Sequence, residues 1–377
     1  MSAPRSREVH AIYLIPGFFG FTNLGRLRYF SHVDRFLRAR LAERGVAARV
    51  HVVRTHPTAS LPRRAALVLE TLARTQRGRS EAGHLVGHST GGVDARLAIS
   101  PGASLPTKLD AERWAGRVRS VVGVSAPQHG TPLAAYLTTR RGQRTLALLS
   151  LATSYVLRFG HLPITALLGL AAVFAREDGR EGNLLDDLLQ QLLADFSLGR
   201  RRAVGRLLRQ VFEDQALLLQ LTPEAMDLFA AAVSERPGVR YGSVVTRSRP
   251  PGVGTTIAAG FDAGAQAIHV VYGAIYRLAA QTREAAAPKL SAAQRRALVA
   301  AYGKLPSARA NDGIVPTRSQ LHGKLIAAVR GDHLDVIGHF NDRATDPPHY
   351  DWLTTGSGFD RPRFEAVWDG VLEFLLD

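Results

Sequence analysis

The chain has 377 residues, of which 46% are hydrophobic, so it can bury a substantial core and is not a disordered protein. It contains no cysteine, which excludes disulfides, thiolate catalysis and cysteine-ligated zinc. The net charge is +16, but the arginines are scattered without an RNA-binding or zinc-finger motif, so we expect no nucleic-acid partner and keep an anionic membrane surface as an alternative.

The N-terminus does not have the pattern of a signal peptide. Residues 1–8 are polar and basic and run directly into an apolar strand, without an apolar stretch that ends at a small-residue cleavage site. As written, the sequence therefore predicts a cytoplasmic protein. A mature secreted form from which a signal peptide had been removed would begin in the same way, and it stays an alternative.

Strands and amphipathic helices alternate in the first part of the chain. Val9–Ile15 predicts a buried strand, and the turn after it, residues 16–20, can leave backbone N–H groups outside secondary structure. Ser31 and Asp34 form a capping-box pattern that predicts the start of a helix. This order implies a parallel, doubly wound sheet, because parallel neighbours need crossover helices. The next strand and helix are predicted at residues 49–53 and 62–76.

The sequence around Ser89 has the G-x-S-x-G pattern of a nucleophile elbow, between a strand-like and a helix-like segment. Gly87 and Gly91 lack the Cβ atoms that would clash where strand and helix meet, so Ser89 is predicted to lie on a strained turn. The backbone N–H of Thr90 would then be one donor of an oxyanion hole, and that of Phe18 the other. Ordinary glycine turns at both places are the alternative.

A further strand, Val118–Val124, ends in a loop that contains His129. This loop lies at the carboxyl end of its strand, the edge where α/β proteins bind ligands. We do not choose His129 as a catalytic base, because it precedes any suitable acid in an order that the hydrolase fold does not use.

Residues 136–237 are predicted to be almost wholly helical and to form a cap or lid over the sheet. Their most apolar part, residues 145–175, is interrupted by Arg158, Gly160 and Pro163, so neither half reaches the roughly twenty residues of a membrane span. Gly160 and Pro163 are also where a hinge is expected. The predicted division of the chain is a core part at 1–135, the cap at 136–237 and a second core part at 238–377.

The alternation of strands and helices returns after the cap. Residues 239–246 predict a strand, 250–254 a loop and 263–281 a helix. The turn at residues 311–316 precedes the last predicted strand, at 325–329. A closing helix presents one apolar face, formed by Phe364, Val367, Trp368, Val371, Leu372 and Leu375.

Three residues in separate motifs have the chain order of a serine hydrolase. A serine hydroxyl needs a base that removes its proton, and the base needs a carboxylate that fixes its tautomer. Ser89, Asp312 and His333 follow the order Ser, Asp, His that α/β-hydrolases use. Asp332 and Asp335 are rival acids, but both are too close to His333 along the chain to reach the far side of its imidazole.

These motifs resemble those of the bacterial true lipases of the Pseudomonas and Burkholderia type, which are α/β-hydrolases. Pro-Gly-Phe-Phe-Gly, Gly-His-Ser-Thr-Gly-Gly, Ser-Ala-Pro-Gln-His-Gly-Thr-Pro, Asn-Asp-Gly-Ile-Val and His-Leu-Asp occur in that family's order, over about two thirds of the chain. The resemblance implies a mobile helical lid in the cap. It also implies a triad of Ser89, Asp312 and His333, with Phe18 and Thr90 as oxyanion donors.

The sequence departs from this family at three places. Pro16 stands where the family commonly has histidine in the oxyanion loop, and no cysteine is present for the family's disulfide. Of the family's calcium ligands only Asp335 is matched, since His339 stands where a glutamine is usual and Asp262 is a distant candidate. Calcium prefers several oxygen ligands, so we expect no cofactor and predict that Asp335 is a structural hydrogen-bond acceptor.

Together these patterns predict an α/β-hydrolase that cleaves carboxylic esters of fatty acids through an acyl-enzyme. Its expected partners are a lipid or ester substrate and, through the cap, a lipid interface. A polyester depolymerase, a phospholipase or an acyltransferase would use the same triad. A hydrolase fold without activity that binds membrane surfaces is the alternative from another functional class.

Overall fold

The computed structural model describes residues 9–18, 29–76, 78, 81–159, 163–175, 182–199, 201–202, 205, 209, 216–258, 263–342, 344–345, 348–349, 351, 353 and 355–377. Its strands are β1 (Val9–Ile15), β2 (Ala48–Val52), β3 (Glu81–His88), β4 (Val118–Val124), β5 (Arg240–Arg247) and β6 (Lys324–Arg330). They form one parallel sheet in the spatial order β2-β1-β3-β4-β5-β6. Helices connect each strand to the next along the chain, so the predicted doubly wound α/β sheet is confirmed.

The two faces of the sheet pack against different helices. Because side chains alternate along a strand, Ile12 and Leu14 of β1 enter one core, whereas Ala11, Tyr13 and Ile15 enter another. The first core is closed by α1 (Ser31–Glu43) and by the last helix, α14 (Arg361–Leu376), and the second by α2 (Leu61–Thr75) and α3 (Thr90–Ile99). A short helix, α4 (Ala111–Ala115), precedes β4.

Between β4 and β5, the described part of residues 132–232 consists mainly of helices, and we call this range the cap region. Leucines from several of these helices form an apolar cluster with Phe18, Leu61 and Val93 of the sheet domain. Among the described residues, none of the helices has both the length and the apolar character needed to cross a membrane. Gly160, one of the two expected hinge residues, lies outside the described residues. The cap helices are α5 (Pro132–Leu137), α6 (Arg140–Phe159), α7 (Ile164–Ala175), α8 (Gly182–Ala194), α9 (Ala216–Gln220) and α10 (Pro223–Ala232).

Two local expectations from the sequence were wrong, and one helix was not expected. Ser31 and Asp34 do not form the expected capping box, because Phe30 and not Ser31 is the N-cap of the helix. Asp34 instead pairs with Arg38 at 2.9 Å. The loop expected at residues 250–254 continues into α11 (Val253–Ala258). The unexpected helix is α13 (Ala292–Tyr302), which follows α12 (Ala263–Ala279) and begins with the capping box that Ser291 and Gln294 form.

The closing helix α14 fixes the segment that follows His333. Its predicted apolar face is buried, and the indole Nε1 of Trp368 donates a hydrogen bond of 2.8 Å to the carbonyl oxygen of Val336. Val336 lies in the short 3-10 turn Asp335–Ile337, directly after the loop of His333. Residues at the C-terminal end of the chain therefore hold the loop that carries the candidate base.

Three buried histidines meet beside this turn. The rings of His32 and His349 stack with centroids 3.6 Å apart, and the ring of His339 meets that of His32 edge-on. Burial lowers the pKa of His32 to about 3 and that of His339 to about 4, and the neighbouring histidines add to both shifts. All three side chains are therefore expected to be neutral at pH 7.

We expect acid to destabilise the fold through this cluster. Below the unfolded pKa of about 6.5 the unfolded chain binds protons that the folded chain does not, so stability falls as the pH drops from about 6.5 to about 4. For His339 alone the loss in the free energy of unfolding reaches about 3 kcal/mol. His339→Gln should therefore lose less stability between pH 7 and pH 4.5 than the wild type, as measured by urea unfolding at both values. An equal or larger loss in the variant would contradict this prediction.

Candidate active site

Ser89 lies on the sharp turn that its glycines predict, between the end of β3 and the start of α3. Its φ is 55°, a left-handed conformation that costs a non-glycine residue about 1–3 kcal/mol. A Cβ on Gly87 would lie 2.1 Å from the carbonyl carbon of Gly91, and one on Gly91 would lie 2.2 Å from the carbonyl oxygen of Ile15. Only glycine fits at both positions, so the nucleophile elbow is present as a backbone feature.

The loop after β1 packs directly against this turn. A Cβ on Gly17 would lie 2.5 Å from the Cβ of Ser89, so the backbone of the loop reaches the serine without any side chain between them. Phe18 follows Gly17 and is buried in the apolar cluster of the cap region. Thr90 is the first residue of α3, and the N–H groups of a first helical turn have no partner within their helix. Phe19 and Gly20 lie outside the described residues.

A buried ion pair between α2 and α3 contacts this loop. Arg64 and Asp94 are both fully buried and lie 2.7 Å apart. The same guanidinium donates to the carbonyl oxygen of Pro16 at 2.9 Å and to the hydroxyl of Thr90 at 3.3 Å. One side chain therefore connects the loop after β1, the first turn of α3 and the helix α2.

His333 and Asp312, which the sequence predicts as base and acid, lie in contact. The Nδ1 of His333 is 2.9 Å from the Oδ2 of Asp312, and the backbone N–H of His333 donates to the carbonyl oxygen of Asp312 at 3.0 Å. A proton on Nδ1 leaves the Nε2 of His333 as the acceptor. The turn at residues 311–316 and the loop after β6 are thus joined by both a side-chain and a backbone hydrogen bond.

The carboxylate of Asp312 is fully buried and has a dense set of donors. Each of its oxygens accepts hydrogen bonds of 2.7–3.1 Å, which replace the water that burial removes. Neither rival acid takes this place: Asp335 accepts from the N–H of Asp332 and from Ser357. Besides His333, the donors to Asp312 are the side chains of Thr246 and Gln320 and the backbone N–H groups of Ile314 and Val315.

His88, the residue before Ser89, connects the elbow to the loop of His333. Its Nε2 lies 2.8 Å from the carbonyl oxygen of His333, and the two imidazole rings are 4.7 Å apart between centroids. His88 could not be identified from the sequence, because a histidine beside a serine has no signal of its own. His129 lies elsewhere: its backbone N–H contacts Ser319.

Asp332, Asp335 and Asp351 form a cluster behind His333. Each offers one carboxylate oxygen, and these oxygens all lie within 4.8 Å of one another. Burial raises the pKa of Asp332 and of Asp335 well above the usual range, and repulsion from a neighbouring carboxylate raises each further. Asp335 is thus the hydrogen-bond acceptor that was predicted, but it does not stand alone. Asp262, the candidate weighed from the sequence, lies outside the described residues.

Three carboxylate oxygens fit a hard cation such as calcium, which would offset their mutual repulsion. On this ground we expect calcium to raise the melting temperature and EDTA to lower it by several degrees. Asp351→Asn should abolish the response to both, whereas Asp342→Asn, at an aspartate outside the cluster, should keep it. A melting temperature that neither calcium nor EDTA changes would instead favour the expectation from sequence, that no metal binds.

No protein-family model matches the chain, and no curated protein sequence matches it. Solved structures do. A metagenomic carboxyl esterase superposes with a TM-score of 0.53 at 16% identity, over 98% of this chain and 76% of its own. EstA from Clostridium botulinum gives 0.51 at 17% identity, over 93% and 86%, and the Staphylococcus hyicus lipase 0.52 at 13%, over 99% and 96%.

The chain has the α/β-hydrolase fold. At these identities the likeness concerns the architecture, namely the parallel sheet with its flanking helices. In this fold the candidate residues lie at the carboxyl ends of four strands. Phe18 follows β1, Ser89 and Thr90 follow β3, Asp312 contacts Thr246 at the end of β5, and His333 follows β6.

Proposed function

We propose that the protein is a serine hydrolase that cleaves carboxylic esters of fatty acids through an acyl-enzyme. Ser89 attacks the ester carbonyl, His333 takes the proton of the serine hydroxyl at Nε2, and Asp312 orients His333. The N–H groups of Phe18 and Thr90 donate to the oxyanion of the tetrahedral intermediate. His333 then gives the proton to the departing alcohol, which leaves the acyl group on Ser89. In the second half of the reaction His333 takes a proton from water, the water attacks the acyl group, and Ser89 regains its proton as the acid leaves.

One observation carries this proposal: His333 and Asp312 form a hydrogen-bonded pair, and the carbonyl oxygen of His333 contacts His88, the residue before the strained Ser89. The 2.9 Å hydrogen bond fixes the Nδ1 proton on His333, which is the tautomer that a general base for serine requires. The strain at Ser89 supports it, since residues in the left-handed region persist where the surrounding structure imposes them, often at active sites.

The cap region supports a fatty acyl group as the part of the substrate that is recognised. Phe18, which would supply an oxyanion donor, belongs to the apolar cluster that includes leucines of α5, α6 and α9, so this cluster extends to the candidate site. Large apolar side chains also face solvent on α7 and α12, which pack against each other, and on α11, which contacts α12. These are Ile164, Leu168, Val253, Ile257 and Val270.

We propose that this exposed set contacts a lipid interface, because soluble proteins seldom leave several large apolar side chains on helices that contact one another in water without a partner. A polyester, a phospholipid or an acyl acceptor other than water would use the same triad. The cap is the observation that favours lipid esters among these substrates.

We therefore expect p-nitrophenyl esters of longer acids to be hydrolysed faster than the acetate, and activity on tributyrin to rise when the substrate passes from monomers to an emulsion. Val253→Ser with Ile257→Ser should reduce the rise on the emulsion and leave turnover of monomeric substrate unchanged. Leu228→Ser, at an exposed leucine of α10, serves as the control. Best turnover on acetate, with no change at the emulsion, would contradict the lipid assignment, and no turnover of any ester would contradict the hydrolase.

A further inference from the structure

A chain of hydrogen bonds runs past Ser89, from the loop after β1 to the loop of His333. The backbone N–H of Gly17 donates to the hydroxyl of Tyr29 at 3.3 Å. The same hydroxyl contacts the Nδ1 of His88, and the Nε2 of His88 lies 2.8 Å from the carbonyl oxygen of His333. The chain thus joins the two loops on either side of the serine through the residue that precedes it.

Only one arrangement of protons fits all of these contacts. A carbonyl oxygen can only accept, so the Nε2 of His88 carries a proton and donates to His333. Burial and the nearby His333 hold the pKa of His88 well below its usual range, so its Nδ1 is unprotonated and accepts from the hydroxyl of Tyr29. The oxygen of Tyr29 is then free to accept from the N–H of Gly17.

The peptide bond between Pro16 and Gly17 is consequently held at both of its polar ends. Arg64 donates to its carbonyl oxygen at 2.9 Å, and its N–H donates to Tyr29. The next peptide bond carries the N–H of Phe18, and only the two dihedral angles of Gly17 separate the two planes. Because glycine itself restricts these angles least of all residues, the hydrogen bonds that hold the first plane and the packing of Gly17 against Ser89 limit the direction of the Phe18 N–H.

We infer that Tyr29 and His88 are positioning residues, which hold the backbone N–H of Phe18 and the base His333 in fixed positions relative to Ser89. This inference rests on the proposed hydrolase function. Neither side chain is required to touch the substrate. Their role is to aim a donor at the place where negative charge develops, which lowers the barrier without strengthening the binding of the ground state.

The test is Tyr29→Phe, which removes the hydroxyl and retains the ring that packs edge-on against Phe30. We expect kcat on p-nitrophenyl butyrate to fall by about 10- to 100-fold with KM changed less than about twofold, a loss smaller than removal of an oxyanion donor causes. The affinity for a boronic acid that mimics the tetrahedral intermediate should fall with kcat. Tyr13→Phe is the matched control, because Tyr13 lies in the core that α2 and α3 close and its hydroxyl bonds to Thr75.

His88→Gln extends the test to the second member of the chain. Glutamine can still donate towards His333 but offers no ring acceptor to Tyr29, so this variant should also lose kcat. Because the two residues act in series, the double variant should lose about as much as the worse single variant, not the product of both losses. Circular dichroism and melting temperatures show whether each variant is folded at the assay temperature.

The outcomes separate this inference from the proposed function. If the wild type hydrolyses esters but Tyr29→Phe keeps its kcat, as Tyr13→Phe is expected to do, the positioning role is wrong and the hydrolase stands. Multiplicative losses in the double variant would also contradict a chain in series. A wild type without hydrolase activity would overturn the proposed function and this inference with it. If the ¹⁵N chemical shifts of an active wild-type enzyme place the proton of His88 on Nδ1, the arrangement of protons inferred for Tyr29 and His88 is wrong.

Discussion

Ser89→Ala is expected to lower kcat by about five to six orders of magnitude, because the hydroxyl is the proposed nucleophile and no neighbouring group can replace it. The fold should remain, since alanine keeps the Cβ and accepts the same turn at a φ of 55° at no greater cost than serine. Hydrolysis of p-nitrophenyl butyrate and the melting temperature, measured on the same preparation, test both statements.

Ser120→Ala is a suitable control for that variant. Ser120 is also a buried serine, but its hydroxyl bonds to His84 in the middle of the sheet. The Ser120→Ala variant should therefore be less stable than the wild type and keep its turnover. Turnover retained in Ser89→Ala would contradict the serine mechanism outright, whereas equal loss of activity in both variants would indicate damage to the fold.

Asp312→Asn is expected to lower kcat by about four orders of magnitude. The backbone N–H groups of Ile314 and Val315 point at Oδ1, so the oxygen of the asparagine must stay there and its amide nitrogen must take the place of Oδ2. That amide then donates towards the Nδ1 of His333. The imidazole is forced to carry its proton on Nε2, where it cannot take one from Ser89.

The comparison variant is Asp335→Asn, which should cost far less activity at saturating calcium because Asp335 does not contact the imidazole of His333. Thr246 and Gln320 also lose their acceptor in Asp312→Asn, so its melting temperature should fall as well. Measurements of kcat well below that temperature separate the two effects. A larger loss of kcat in Asp335→Asn than in Asp312→Asn would show that the acid has been assigned to the wrong residue.

The elements that could be predicted from the sequence are those whose signal is local. The strand–turn–helix around Ser89 follows from two glycines at fixed spacing, and the structure shows that a Cβ at either would collide with backbone. The last strand and the closing helix likewise follow from hydrophobic periodicity and are confirmed. Asp312 and His333 were predicted from their chain order, from the place of His333 after a strand and from the resemblance to the lipase motifs, and the structure brings them to hydrogen-bond distance.

What the sequence could not show depends on residues that are distant along the chain. Nothing near Asp351 indicates that it meets Asp332 and Asp335, because the approach is created by the path of the chain after His333. Tyr29 and His88 likewise meet although 59 residues separate them along the chain. The capping box at Ser31 failed for the opposite reason: the local pattern was present, but the helix began at a residue that the pattern did not specify.

The most direct test of the central claim is the site at which a fluorophosphonate reacts with the protein, read by mass spectrometry of the digested adduct. The probe is attacked only by an activated hydroxyl, so it reports the nucleophile and its base without a choice of substrate. We predict a single phosphonyl group on the peptide that contains Ser89, lost in Ser89→Ala and formed much more slowly in Asp312→Asn. An adduct on another residue, or ester turnover without an adduct at Ser89, would contradict the account.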